Sequence, residues 1–563
     1  ELYVVVLSAD ETSPLGPRSD EEEGEGEEEG KGKGKGKGKE EEEEEEEVVV
    51  TVDLEGIDQR ILALPVEGGN LSNLTVVDGG GLLYLERGEW GEGMTLHRYD
   101  PEERESVVVV EGTKGYSVSA DGKKLLLAQS DDVYKVVAAT AETAAVDEAN
   151  PLDLSGMTVR VDPRAEWVQI YDEAWRIFRD YFYDPDMHGA DWDAVGDRYR
   201  PWLAHVGHRD DLNYLLGEMM GELVAGHSFR WGGDYPDIES IDVGLLGADL
   251  RVEAPFYRIH RVYPGNNWDP DLRAPLTEPG VEVAEGDYLL AIDGEPLRAP
   301  DNPLRLLQGK AGQQVVLRIN DRPDERGARE VTVVPSGSEA GLRHRSWVEG
   351  NRARVDEASG GRVAYIYVPN TAWAGYTSFN RYYYAQLDRQ AVILDERYNG
   401  GGSVADYMVD VLARRVLNYN ATREGADYAS PLAVIPGPKV MLINQDAGSG
   451  GDCLPHYFRL MGLGTLVGTR TWGGLIGIYD YPNLMDGGVV TAPRIAFYGY
   501  DGLWTAENVG VPPDVEVPMT PADVIAGRDP QLEEGLRLIL EQLEADPPAP
   551  PPRPPYPDYS TAD

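Results

Sequence analysis

Two hydrophobic rhythms divide the chain. Up to about residue 160, short apolar or alternating runs recur at 59–64, 82–86, 94–99, 107–110, 116–128 and 133–136, several separated by Asp-Gly or Gly-Gly. A spacing of roughly 8–12 residues between such runs predicts β-strands grouped as propeller blades. Closure takes roughly four blades or more, and the pattern covers two or three, so upstream sequence is expected before Glu1. After residue 160 the period lengthens. Apolar residues at 3–4 spacing predict helices over 166–182 and 211–223, the second running directly into Gly226-His227-Ser228-Phe229.

The rhythm then returns to strands between about 241 and 335. The Gly244-Leu245-Leu246-Gly247 loop before one strand and the later run Gly286-Asp287-Tyr288-Leu289-Leu290-Ala291-Ile292-Asp293-Gly294 resemble a PDZ domain. Such domains capture chain ends by adding a strand. From Gly361 strands and helices alternate: strands at 363–368, 391–395 and 440–444, and helices at 379–387, 404–412 and from 454. The fold class expected is therefore multidomain α/β and β. It comprises partial β-propeller blades over 1–160, a helical first part of the catalytic core over 161–240, the PDZ domain over 241–335 and an α/β catalytic domain over 336–535. Residues 536–563 are expected to be a helix end and a flexible, proline-rich tail.

Charge narrows the partners. The net charge is −49, and residues 20–47 alone carry sixteen acidic side chains against five lysines. That run of Glu and Gly-Lys repeats is expected to be a disordered surface insertion. A field of this sign repels nucleic acid and anionic membranes, so neither is expected as a partner. No apolar run approaches the ~20 residues of a membrane span, and the first residues lack a basic-then-apolar export pattern. The single cysteine, Cys453, excludes an internal disulfide and fits a reducing, cytoplasmic compartment.

Candidate chemistry centres on Asp446-Ala447-Gly448-Ser449-Gly450-Gly451-Asp452-Cys453. A serine between a buried strand and a helix projects its hydroxyl beside backbone amides not yet committed to the helix, as an acyl-transfer nucleophile requires. Ser449 is the candidate nucleophile and Gly450 N–H a candidate oxyanion donor; a plain Gly/Ser turn capping a helix is the competing reading. Three glycines, Gly400-Gly401-Gly402, follow the strand at 391–395. A phosphate loop would end in Gly-Lys-Ser/Thr, which is absent, so an oxyanion loop through Gly401 or Gly402 is favoured. His205 and His208 have metal-ligand spacing but no second cluster, and no His-Glu-x-x-His occurs; neither a metal nor a cofactor is expected.

These pieces, in this order, resemble the tricorn protease family. The resemblance rests on Ala174-Trp175-Arg176, Met187-His188-Gly189-Ala190-Asp191-Trp192, Gly226-His227-Ser228, Asp395 through Gly402, the Ser449 turn, Arg470-Thr471-Trp472-Gly473-Gly474 and Glu507 through Asp514, and it covers about residues 50–535. It implies a serine peptidase related to tail-specific proteases that hydrolyses short peptides downstream of a larger protease, acting as a homo-oligomer. It also implies Ser449 as nucleophile, His227 as general base and Glu507 as the group that orients the base. By the same resemblance an aspartate selecting basic side chains aligns with Asn420, whose lost charge should weaken that preference. Two departures stand out. The family has serine before the histidine, where this chain has Gly226, so restoring it should raise turnover; the acidic residue after the nucleophile is Gly450. A catalytically inactive PDZ scaffold for peptides is the alternative that Gly226 leaves open.

Overall fold

The computed structural model describes residues 1–16, 50–88, 93–129, 133–253 and 255–560. The acidic insertion expected at 20–47 lies outside them. The chain divides into two units, Glu1–Arg160 and Val161–Asp563.

In the first unit every named strand pairing is antiparallel. A four-stranded sheet runs in chain order through Leu71–Val76, Leu82–Arg87, Met94–Asp100 and Glu105–Thr113. A three-stranded sheet follows, Gly115–Val118, Lys124–Ala128 and Tyr134–Ala138. Alternate residues of these strands, Leu83 and Leu85, Leu125 and Leu127, meet in one core with Leu96, Val109 and Val137. Residues 59–64 form a turn of 3-10 helix, Ile57–Arg60, and the short strand Ile61–Ala63 rather than one strand.

In the second unit, helices Pro163–Tyr181, Trp192–Tyr199 and Arg209–Gly221 pack on a shared apolar core. Asp162 caps the first helix, with Pro163 in the first turn where its missing N–H costs nothing. Trp175 and Trp192 each donate an indole N–H to the other's carbonyl and so fix the first two helices together. The next layer is an antiparallel sheet in the order Ala248–Glu253, Phe256–Val262, Tyr288–Ile292, Val315–Asn320, Arg329–Val333.

Five parallel strands form a further sheet, in the order Val363–Tyr367, Ala391–Asp395, Lys439–Ile443, Thr465–Gly468, Val515–Glu516. The first three are buried along their whole length, which is why their apolar residues run consecutively rather than alternate, with the charged Asp395 and Lys439 buried at strand ends. Odd positions Val363, Tyr365 and Tyr367 face the core that includes Val348, Val355, Leu532 and Ile539 from helices Ala340–Ser359 and Pro530–Ala545. Even positions Ala364 and Ile366 face Phe379, Met408 and Leu454 from helices Trp373–Tyr384, Ala405–Leu412 and Gly450–Leu460. The strands Ala391–Asp395 and Lys439–Ile443 are neighbours, so the loops leaving their carboxyl ends, 396–404 and 444–449, emerge side by side. Clefts in open parallel sheets form at such strand ends.

Candidate active site

Under the first of these loops lies a buried ion cluster. Arg397, with no solvent exposure, donates to both carboxylate oxygens of Asp395 (2.9 and 2.6 Å) and of Asp529 (2.8 and 2.9 Å). Asp529 also caps the helix Pro530–Ala545 through Leu532 N–H, and Tyr365 OH donates to Asp395. The loop Glu396–Gly402 is thus fixed to the sheet and to the last helix before it reaches the surface. Tyr398 N–H donates to Asn444 Oδ1 and Gly448 N–H to Asn399 O, which locks the two loops against each other.

The glycines exist for close approach. Gly401 and Gly402 have φ of +91° and +133°, and a Cβ on Gly401 would stand 2.7 Å from Ser449 Cβ. The Gly401 N–H is engaged by Asn399 Oδ1 at 2.9 Å, so of the two expected oxyanion donors in this loop only Gly402 is unengaged among the described residues. A Cβ on Gly450 would overlap the Thr371 hydroxyl and lie within 2.8 Å of Gly402 N. The amides of Gly402 and Gly450 are therefore neighbours. The same crowding explains why no acidic side chain stands at position 450. The Thr371 hydroxyl, buried beside them, has no hydrogen-bond partner among the described residues.

Ser449 immediately precedes the helix Gly450–Leu460 with φ +58° and ψ −115°, a sparsely populated conformation for a residue with a side chain. Its N–H donates to Asp452 Oδ2 (2.9 Å) and to Gly474 O (3.1 Å). His227 also has positive φ (+57°) and lines the same cavity as Ser449. The backbone around it is held from a distant segment: Thr491 Oγ1 donates to His227 O and accepts from Phe229 N–H, while Arg230–Trp231 pairs with Val489–Val490. The imidazole packs edge-on against Trp472 (5.3 Å) and Phe229 (5.5 Å), and its buried Nδ1 has no partner among the described residues. Burial pushes the His227 pKa below the ordinary histidine value, and the Glu507 charge pulls part of the way back.

Glu507 departs from the expectation that it orients the ring. Among the described residues its carboxylate accepts only backbone N–H groups: Gly226 at 2.6 Å on Oε1, Leu475 at 2.7 Å and Ile476 at 2.9 Å on Oε2. It acts on the backbone entering His227, not on the imidazole. The expectation about Gly226 changes too. A Cβ there would lie 2.9 Å from Gly474 Cα and 3.1 Å from Glu507 Oε1, so a serine has no room without moving the loop that carries Glu507's donors.

The cavity around Ser449 has a volume of about 1030 Å³. Phe229, Trp472, Leu475, Ile495 and Phe497 give it apolar walls, and Asp406 and Asp446 are its carboxylates. Asn420 is not brought to it. That residue sits in the hairpin Asn418–Asn420/Tyr428–Ser430, with its amide turned onto Ser430 Oγ (2.9 Å). His208 caps the helix Arg209–Gly221 through Asp210 N–H, and His205 packs against Trp202. Among the described residues no group of three or more His, Cys, Asp or Glu side chains is arranged to hold a metal, and no helix is long and apolar enough to cross a membrane. The Cys453 thiol lines the cavity, its pKa pushed up to about 11 by burial.

Sequence reading missed Asp452, Thr371, Arg397 and Asp406. Only Asp452 carried a local signal, the Ser-x-x-Asp spacing of a helix start.

Comparison with known proteins agrees with this architecture. Residues 163–221 match the model of the tricorn protease C1 domain, 244–338 that of the tricorn protease PDZ domain, and 362–517 that of peptidase family S41. Ser449 and Glu507 fall within the third match, and His227 between the first two. Tricorn protease homolog 1 of Streptomyces coelicolor is 38% identical over 515 residues, covering 88% of this chain and 48% of that protein. The putative tricorn-like protease C-terminal subunit of Sulfurisphaera tokodaii is 33% identical, covering 88% of this chain and 58% of the relative. A crystal structure of the tricorn protease superposes with a TM-score of 0.80 at 28% identity, covering 88% of this chain and 49% of that one. The chain spans about half the length of these relatives. With the C1, PDZ and S41 peptidase domains in one order along it, the chain belongs to the tricorn protease family.

Proposed function

We propose that the chain is a serine peptidase that hydrolyses short peptides in the cavity above the parallel sheet. Ser449 Oγ attacks the scissile carbonyl, and His227 takes its proton and returns it to the leaving amine. The amides of Gly402 and Gly450 stabilise the tetrahedral oxyanion. Glu507 holds His227 in place through Gly226 N–H. The observation that carries this reading is one juxtaposition: a serine in a strained strand-to-helix turn, two unengaged amides beside it and a neutral-leaning histidine, all on one cavity.

Asp406 and Asp446 on the cavity wall suit substrates with a basic side chain, in place of the role first considered for Asn420. Action downstream of a larger protease, in the cytoplasm and as a homo-oligomer, belongs to the same proposal, as does the reading of the amino-terminal sheets as propeller blades. The buried, unpartnered Nδ1 of His227 favours one second reading, an inactive peptide-binding scaffold. Hydrolysis of fluorogenic peptides by the wild type and by Ser449→Ala separates the two. Loss of the nucleophile is expected to lower kcat by about 10⁶; equal turnover in both proteins would remove Ser449 from the mechanism, and none in either would favour the scaffold.

A further inference from the structure

Asp452 takes no part in the chemistry above, yet it is fully buried in the first turn behind the nucleophile. Its Oδ1 accepts from the Thr471 hydroxyl and from Gly473 N–H (2.8 Å). Its Oδ2 accepts from Ser449 N–H (2.9 Å) and Gly474 N–H (3.1 Å). All four donors are uncharged, so the carboxylate is held by oriented dipoles at a helix start.

A helix cap alone would use only the Ser449 amide. The other three donors come from 471–474, about twenty residues further along. That segment touches the base in two ways. Trp472 packs on the His227 ring, and the following amides, Leu475 and Ile476, hold Glu507, which holds Gly226. Asp452 therefore lies where the support of the nucleophile and the support of the base converge. Among the described residues Glu507 makes no bond to the imidazole, so the register between Ser449 and His227 has to be set through backbone. Ser449 N–H to Gly474 O (3.1 Å) and Trp472 N–H to Ala447 O (2.8 Å) join the two segments directly, and Asp452 is the side chain that bonds to both.

We propose that Asp452 is the positioning residue of this site: it holds Ser449 in its positive-φ conformation and fixes it in register with the segment Thr471–Ile476 that supports the base. This rests on the reading of Ser449 and His227 as nucleophile and base. Peptide binding uses other walls of the cavity, among them Asp406, Ile495 and Phe497. Loss of Asp452 should thus appear in the chemical step and not in substrate affinity.

The test is Asp452→Asn in the full chain, with kcat and KM on a fluorogenic peptide and the rate of Ser449 labelling by a fluorophosphonate. The amide keeps the shape but turns an NH₂ toward two N–H or O–H donors, so the Ser449 turn relaxes. A displacement of this kind costs on the order of 10²-fold. The expected result is a fall of kcat and of the labelling rate together by about that factor, with KM unchanged. Wild-type kcat in folded Asp452→Asn, or a loss carried wholly by KM, overturns the proposal. Should Asp452→Asn not fold, Thr471→Val decides: it removes one donor to Asp452, together with the acceptor of Val511 N–H (2.8 Å), and leaves the Ser449 bond, so kcat should fall several-fold at constant KM, and no change overturns the proposal. Ser449→Ala run alongside separates the two levels. If it still turns over, the reading of the site fails. If it is dead while Asp452→Asn keeps its kcat, only the positioning role fails.

Discussion

Arg397 and Arg318 are both arginines paired with carboxylates, one beneath the loops at 396–404 and 444–449 and one on the PDZ sheet, and they live in different worlds. Arg318 is 38% exposed and reaches Glu330 at 2.7 Å from a neighbouring strand. Arg397 has no exposure and is bonded by Asp395 and Asp529 together. On the surface, water and side-chain freedom offset most of what the pair gains. In the core each charge must be fully satisfied, so the pair dictates geometry even where it adds little net stability. The core of the PDZ sheet is built largely from residues such as Leu289, Ile292, Leu317 and Ile319. Buried charge beneath the loops at 396–404 and 444–449, in Asp395, Glu396, Arg397, Asp452 and Asp529, shows where the protein uses electrostatics to hold a shape.

The largest expected effect comes from removing the base. His227→Ala should cost about as much kcat as loss of the nucleophile, on the order of 10⁶, measured on peptide hydrolysis with the fold checked by circular dichroism. A loss below tenfold would mean that Ser449 has another base.

Next is Arg397→Met. It strands Asp395 and Asp529 in the core, and breaking a buried pair typically costs about 3–5 kcal/mol. The urea midpoint should fall sharply, and an unchanged midpoint would show that the cluster is not under the constraint assigned to it. Gly226→Ser should also lose activity rather than gain it, by roughly tenfold, since overpacking of about 1–3 kcal/mol falls on Gly474 and Glu507. A rise in kcat would show that the loop gives way and the hydroxyl is useful.

A smaller effect concerns pH. In the proposed mechanism His227 must be neutral to accept the serine proton, so activity is expected above its pKa and lost as pH falls through it. Burial lowers that pKa, and the acid limb of kcat/KM should therefore have its midpoint below the ordinary histidine value of about 6.5. A midpoint above that value would mean that Glu507 outweighs burial. Smallest of all, Arg318→Ala should leave the melting temperature within the scatter of replicate scans. A clear drop would erase the contrast between the two regions.

How legible each part was in the sequence follows the same divide. The sheet strands at 363–367, 391–395 and 439–443 carry consecutive apolar residues, interrupted only at the strand ends by Asp395 and Lys439, and declare themselves. The twenty-residue helix Ala340–Ser359 did not, because Asn351 and Ser359 are among its buried residues and arginines crowd the rest. The turn at Ser449 is local, a strand, small residues and a helix, and so can be read in one pass. The loop at His227 takes its shape from Thr491 and Glu507, more than 260 residues away. That distance also hid Glu507's attachment to backbone instead of to the ring. The Asn420 placement depended on counting residues after the glycine loop. The carboxylate on the wall, Asp406, lies in the first turn of the very next helix, before that count reaches it.

The most direct measurement is a map of covalent labelling. Wild type and His227→Ala are treated with a fluorophosphonate, digested and analysed by mass spectrometry, with peptide hydrolysis followed in parallel. The account predicts a single adduct on Ser449 that forms as activity is lost, and a labelling rate lower by orders of magnitude in His227→Ala. An adduct on another serine, such as Ser228 or Ser403, or full activity in a protein labelled at Ser449, would contradict it.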